Sequence, residues 1–171
     1  MIFRGTAWTF GDHIDTDLII PARYLVTVDP KVLAPKAFED LDPALAAKIN
    51  PGDILVAGEN FGQGSSREHA PIALKGLGVA CIIARSYARI FYRNSFNIGL
   101  PLFECPDLRA VTQSGDRLTV DDESGRITNE TRGTAHTAAP LPDFMHRLVA
   151  AGGIIEYTRQ KVAARGGGSS A

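Results

Sequence analysis

An α/β domain with a partly parallel central sheet is the fold this sequence predicts, and three observations predict it. Short apolar runs at Ile54-Leu55-Val56-Ala57, Val79 to Ala84 and Leu102-Phe103-Glu104-Cys105 have the length of strands, the first two reading as buried throughout. Two longer segments between them, Ser66 to Leu77 and Tyr87 to Phe96, suit helices. A glycine-rich stretch, Gly58 to Gly64, joins the first run to the first helical segment. Strand, helix, strand, helix, strand in that order implies parallel strands joined by right-handed crossovers.

The elements follow from the N-terminus. Residues 1 to 10 begin with a short apolar segment, read as a strand, and Gly11 to Pro21 is acidic and loop-like before turning apolar. Residues 28 to 49 read as polar loop and short helix. There Asp42-Pro43 resembles an N-cap followed by proline at the first helical position. Pro51-Gly52-Asp53 is a turn. Gly76 and Gly78 end the first long helix, and Asn97 and Gly99 the second. Beyond Cys105 the pattern changes. Asp116 to Thr128 alternates around Glu123-Ser124-Gly125, a β-hairpin signal. Leu141-Pro142-Asp143 opens a short helix to Ala151, and Ile154 to Tyr157 is a last apolar segment. The chain reads as one domain over residues 1–164, without repeat or linker, and the glycine- and serine-rich residues 165–171 as a disordered tail.

Composition narrows the function. The 171 residues suffice for one core, and 44% apolar with 22% charged is ordinary for a soluble globular chain. A net charge of -1 disfavours a general nucleic-acid or membrane-surface binder. No apolar run reaches the roughly 18–20 residues needed to span a bilayer, and the first residues lack a signal peptide's pattern. A cytoplasmic location is expected. The two cysteines, Cys81 and Cys105, form no CxxC motif, and Cys81 lies in an apolar run, as a buried reduced thiol would. Two scattered thiols do not hold an iron–sulfur cluster, which takes about three or four cysteine ligands. A cluster, if the chemistry needs one, must come from another chain.

The chemistry is concentrated in "GENFGQGSSREHAP", residues 58 to 71. Gly62 and Gly64 would let the backbone approach a ligand, and a helix N-terminus after a strand favours an anion. The lysine of a phosphate-binding loop and the spacing of a dinucleotide fingerprint are both absent, whereas Arg67 suits bidentate capture of a carboxylate. Ser65 and Glu68 have the spacing of a capping box. The doubled serine beside an arginine goes beyond capping, since a hydroxyl whose alkoxide is stabilised by N–H groups and Arg67 could serve as a base. His69 reads as a structural hydrogen-bonding residue. Arg85, Arg89 and Arg93 are spaced to share one helical face, either solvated, inter-subunit, or adding positive potential near the loop.

With "DTDLIIPARYL" upstream and "IIARSYARIFYRNSFNIGLPLF" downstream, this segment strongly resembles the small subunit of 3-isopropylmalate dehydratase, the swivelling domain of the aconitase superfamily, over roughly residues 1 to 160. The resemblance implies a swivelling β/β/α domain like the aconitase C-terminal domain. It implies reversible dehydration of hydroxy acids, and a large-subunit partner that carries a [4Fe-4S] cluster while this chain binds no metal. Matched by position, Ser65 is the catalytic base, Ser66 and Arg67 bind substrate, and Asp17 is an acidic residue near the site. Tyr24, Leu25, Val26 and Thr27 form the segment that sorts substrates in the family, where an arginine at the position of Val26 meets an extra carboxylate. A buried, unpaired carboxylate against valine would be heavily penalised, so Val26 favours an alkyl group. Thr27 departs from the bulkier residue common in isopropylmalate enzymes, which keeps citramalate and 2,3-dimethylmalate open beside isopropylmalate, with homoaconitate disfavoured. A non-catalytic carboxylate-binding module and a nucleotide-binding domain are the rival classes. Self-association of the isolated small subunit stays open.

Overall fold

The computed structural model describes residues 1–167. One seven-stranded sheet carries the fold, in the order β4-β3-β2-β1-β5-β6-β7. Strand β1 (Ile2–Thr9) joins its two halves. Through Ala7 to Thr9 it runs parallel to β2 (Ile54–Ala57), and through Ile2 to Thr6 antiparallel to β5 (Arg117–Asp121). On one side β3 (Cys81–Ala84) and β4 (Leu102–Glu104) extend the parallel half. On the other, β6 (Arg126–Asn129) and β7 (Thr134–Thr137) complete an antiparallel meander.

Both faces of the parallel half are covered. Every residue of β2 and β3 is buried, which is why these runs read as continuously apolar rather than alternating. The two-residue period of a strand still sorts their side chains. Leu55, Ala57, Ile82 and Ala84 join a core with the helices, around Phe38, Phe61 and Phe96. Ile54, Val56, Cys81 and Ile83 face a second core made with Leu118, Val120 and Ile127 of the meander. The layering is therefore antiparallel β over parallel β over α, the β/β/α arrangement the resemblance implied.

The helices are α1 (Thr16–Ile19), α2 (Pro30–Leu33), α3 (Leu45–Lys48), α4 (His69–Gly76), α5 (Arg89–Asn97), α6 (Asp143–Ala151) and α7 (Ile154–Gly167). The segment expected to be an acidic loop holds α1, whose cap is Asp15, its carboxylate accepting the Leu18 N–H at 3.0 Å. Helix α3 starts at Leu45, and Asp42 accepts the Ala44 N–H at 2.9 Å in the turn ahead of it. Gly76 lies inside α4 rather than past its end, where a Cβ would crowd Pro30 O of α2 at 2.8 Å. The last apolar segment is the first turn of α7. That helix takes in Arg165 to Gly167, and the rest of the expected tail lies outside the described residues. Among the described residues no helix is long and apolar enough to cross a membrane.

Candidate active site

The loop from Gly58 to Glu68 leaves the carboxyl end of β2 and is held from both sides. On one side the Gly62 N–H donates to Ile14 O at 2.7 Å, and Thr16 donates twice, its N–H to Gln63 O at 2.9 Å and its Oγ1 to Ser65 O at 3.0 Å. On the other, the Phe61 N–H donates to Ser86 O and the Ala88 N–H to Phe61 O, both at 3.1 Å. Phe61 itself is buried edge-on against Phe91 of α5, with ring centroids 5.3 Å apart. Gly62 and Gly64 have φ of +84° and +96°, conformations that a side chain resists. His13 and Asn60 also sit at positive φ, where β1 and β2 run out, with Asn60 Nδ2 3.3 Å from His13 Nδ1. Left-handed non-glycine residues of this kind gather at functional sites.

These ties overturn one expectation. Helix α4 begins at His69, three residues later than the sequence suggested, and no side chain caps it. The Ser65–Glu68 capping box does not form. Thr16 draws the Ser65 and Gln63 carbonyls toward α1 and keeps this stretch off the helical path. Ser65 and Ser66 are therefore exposed loop residues, and neither hydroxyl acts as a helix cap.

An open cavity of about 370 Å³ lies beside them, lined by Leu25, Ser66, Arg67, Glu68, His69 and Asn94. Arg67 is largely buried, and its Nη1 donates to Asp17 Oδ1. Asp17 is mostly exposed, so it is a carboxylate resting on the arginine expected to bind one. Of the residues expected to bind substrate, the fold thus brings Ser66 and Arg67 to the cavity and reaches Asp17 through Arg67, with Ser65 next to them in the chain. The specificity segment divides. Leu25 lines the cavity and Tyr24 packs on the helical core, its ring under Arg23 and Lys36. Thr27 accepts the Asp29 N–H at 3.1 Å in a local turn. Val26 is 91% exposed and does not line the cavity formed by this chain alone.

Two lining residues change the sequence reading. His69, expected to be a structural hydrogen bonder, faces the cavity, and no hydrogen bond of its ring is seen among the described residues. Asn94 lines the cavity with only a weak signal in the sequence. Its signal was a polar residue at the edge of an amphipathic helix, just before buried Ser95 and Phe96. The arginine series is also broken: Arg85 precedes α5 and pairs with Glu59 at 3.5 Å, so only Arg89 and Arg93 share the helix.

The residues do not suit a metal cluster. Cys81 and Cys105 are free and buried, and burial pushes both thiols up, away from the thiolate a metal would need. Among the described residues no three His, Cys, Asp or Glu side chains gather closely enough to hold a metal ion.

Comparison with known proteins gives the family and the fold. The family model of the aconitase C-terminal domain matches residues 13–106. A 3-isopropylmalate dehydratase small subunit from Thermodesulfovibrio yellowstonii is 54% identical over 162 residues, covering 95% of this chain and 96% of its own. A 2,3-dimethylmalate dehydratase small subunit from Eubacterium barkeri is 53% identical over 154 residues, covering 90% and 94%. Among solved structures, a 3-isopropylmalate dehydratase from Methanocaldococcus jannaschii superposes with a TM-score of 0.94 at 37% identity, over 99% of this chain and all of that one.

Proposed function

The chain belongs to the aconitase C-terminal domain family, among the dehydratase small subunits of the 3-isopropylmalate kind, and on that premise we propose that it interconverts 2- and 3-isopropylmalate in leucine biosynthesis, in the cytoplasm, together with a large subunit. One observation carries the reading: an exposed serine pair, free of capping duty, opens beside a cavity that holds the guanidinium of Arg67. A binding module would need the arginine but not a second free hydroxyl. Neither the phosphate-binding lysine nor the dinucleotide glycine spacing is present for a nucleotide.

In this reading Arg67 takes one substrate carboxylate by exchanging Asp17 for it. The exchange replaces one carboxylate by another on the same guanidinium, so Arg67 keeps a partner throughout. Asp17 thus keeps the guanidinium aimed at the cavity until substrate arrives. Ser65, as its alkoxide, takes the proton from the carbon next to a carboxylate while hydroxide leaves the adjacent carbon and takes a proton from solvent to become water. On rehydration the oxygen of water adds to the carbon that lost the proton, and its released proton returns to solvent. The Ser65 hydroxyl gives its proton to the carbon that lost the hydroxyl, which regenerates the alkoxide. The [4Fe-4S] cluster belongs to the large subunit, where it supplies the Lewis acid for the departing hydroxyl. The chain by itself is inactive.

A second substrate has its own support: the Eubacterium barkeri relative acts, by its name, on 2,3-dimethylmalate and is almost as similar as the isopropylmalate subunits. Both substrates present an alkyl group to Leu25. The deciding experiment purifies this chain anaerobically with its large subunit and compares hydration of isopropylmaleate, dimethylmaleate, citraconate and cis-homoaconitate. Preference for isopropylmaleate supports the leucine pathway, and preference for a smaller alkyl group moves the pathway but keeps the mechanism. Ser65→Ala is expected to abolish turnover with the complex intact; near-normal turnover would remove Ser65 as the base.

A further inference from the structure

Arg67 supplies only part of what a carboxylate needs from this cavity. A carboxylate offers about four lone-pair sites, and a guanidinium in fork geometry fills two of them. Each site left bare when the substrate gives up its water costs as an unmade hydrogen bond does. Of the other lining side chains, Leu25 has no donor and Glu68 carries the substrate's own charge, which leaves Ser66, His69 and Asn94. His69 is set apart by its ring. The other three histidines of the chain are engaged: His13 Nδ1 lies 3.2 Å from Gln63 Oε1, His136 Nε2 3.1 Å from Thr134 Oγ1, and His146 Nδ1 3.7 Å from Asp122 Oδ2. The His69 ring is half-buried and has no hydrogen-bond or ion-pair partner among the described residues. The Asn94 carboxamide is half-buried and unpartnered in the same way. Asn50 and Asn97 also lack side-chain partners, but neither lines this cavity. Both residues sit on helices. His69 opens α4, and Asn94 is followed in α5 by buried Phe96 and by Ser95, whose Oγ donates to Phe91 O at 2.8 Å.

We propose that His69 and Asn94 bind the substrate carboxylate that Arg67 anchors, the imidazole N–H and the carboxamide N–H donating to the oxygen lone pairs that the guanidinium leaves. The inference rests on the functional reading above and adds two substrate-binding residues to it. Arg67 and His69 come from the glycine loop and the start of α4, and Asn94 from α5. A carboxylate among them is held from two helices at once, which fixes its orientation more precisely than a loop alone. Nothing in the protein has to be broken to engage these two donors, so they stand ready for the ligand. Proton transfer stays with Ser65.

The test is steady-state hydration of isopropylmaleate by the anaerobically assembled complex with the large subunit, each variant's melting curve being checked against the parent. His69→Phe keeps a ring and loses the N–H. It is expected to raise KM about 10-fold with kcat little changed, as loss of a hydrogen bond to a charged group held equally in ground and transition state does. His69→Gln, which restores an N–H donor, should recover much of that loss. At Asn94 two replacements separate binding from structure. Aspartate is nearer in shape to asparagine than leucine is, so a merely structural Asn94 would tolerate Asn94→Asp better. A carboxylate-binding Asn94 requires the opposite order, with Asn94→Asp raising KM more than Asn94→Leu, because it sets like charges side by side. KM unchanged in all four variants of an active complex would overturn this inference alone. So would the structural order at Asn94, or a loss of kcat at unchanged KM in His69→Phe, which would move His69 into proton transfer. A wild-type complex that hydrates no alkyl-maleate would overturn the functional reading and this inference with it.

Discussion

Gly62 is where the fold and the site are most tightly coupled, and Gly62→Ala shows how tightly. Its φ of +84° costs a side chain roughly 1–2 kcal/mol. The new methyl would also overlap Phe91 Cγ and lie 2.5 Å from its Cβ and 2.6 Å from its Cδ2. These are atoms near the backbone of α5, on a ring wedged against Phe61, and they cannot swing aside. Overpacking of that kind costs about 1–3 kcal/mol. The sum, about 2–5 kcal/mol, is a large share of a typical stability of about 5–15 kcal/mol. Gly58→Ala is the control. Its methyl would overlap Asp12 Oδ1, the end of an exposed side chain whose displacement gives up a 2.8 Å bond from the Glu59 N–H, a loss of about 1 kcal/mol. Urea denaturation of the isolated chain reads both. The Gly62 variant is expected to lose about 1 M or more in midpoint, and the Gly58 variant much less. Equal losses, or a Gly62→Ala chain as stable as the parent, would refute the claim that α5 packs directly on the glycine loop.

Two further predictions follow from buried groups and the cavity wall. Burial raises the Asp116 carboxyl, but the Gln113 N–H, Arg132 and Asn129 outweigh it and hold it at about 2. A depressed carboxyl stabilises the fold fully above its unfolded pKa, near 3.9, and loses that contribution as pH falls toward 2. The wild-type unfolding free energy, from urea denaturation at each pH, should therefore drop between pH 5 and pH 3 by about 1 kcal/mol more than that of Asp116→Asn; parallel acid limbs would place the effect elsewhere. In the complex, Leu25→Ala should lower kcat/KM on isopropylmaleate about 10-fold relative to citraconate, because an aliphatic contact is worth about 1–3 kcal/mol. Equal losses on both substrates would return specificity to Val26, whose side chain would then have to turn inward on assembly.

Local chemistry carried much of this protein. The apolar runs at 54–57 and 81–84 are buried strands because both of their faces are covered. The glycines of the site loop do sit at positive φ, and the hairpin around Gly125 forms as its alternation required. The motif from Gly64 to Arg67 pointed to the cavity for the same reason: its residues are neighbours in sequence. What local spacing alone does not give depends on contacts between distant segments. The start of α4 was placed too early because Thr16, 49 residues before Ser65, takes the carbonyls that a helix would have used. Asp17 reaches Arg67 across 50 residues, and Asn94 comes to the cavity only because α5 packs on the glycine loop. Val26 looked like a ligand contact in the sequence and stands in solvent in the fold. A residue's type and local spacing limit what it can do, whereas which partner it meets is decided by packing between segments far apart in the chain, and that information resides in the assembled sheet and helices.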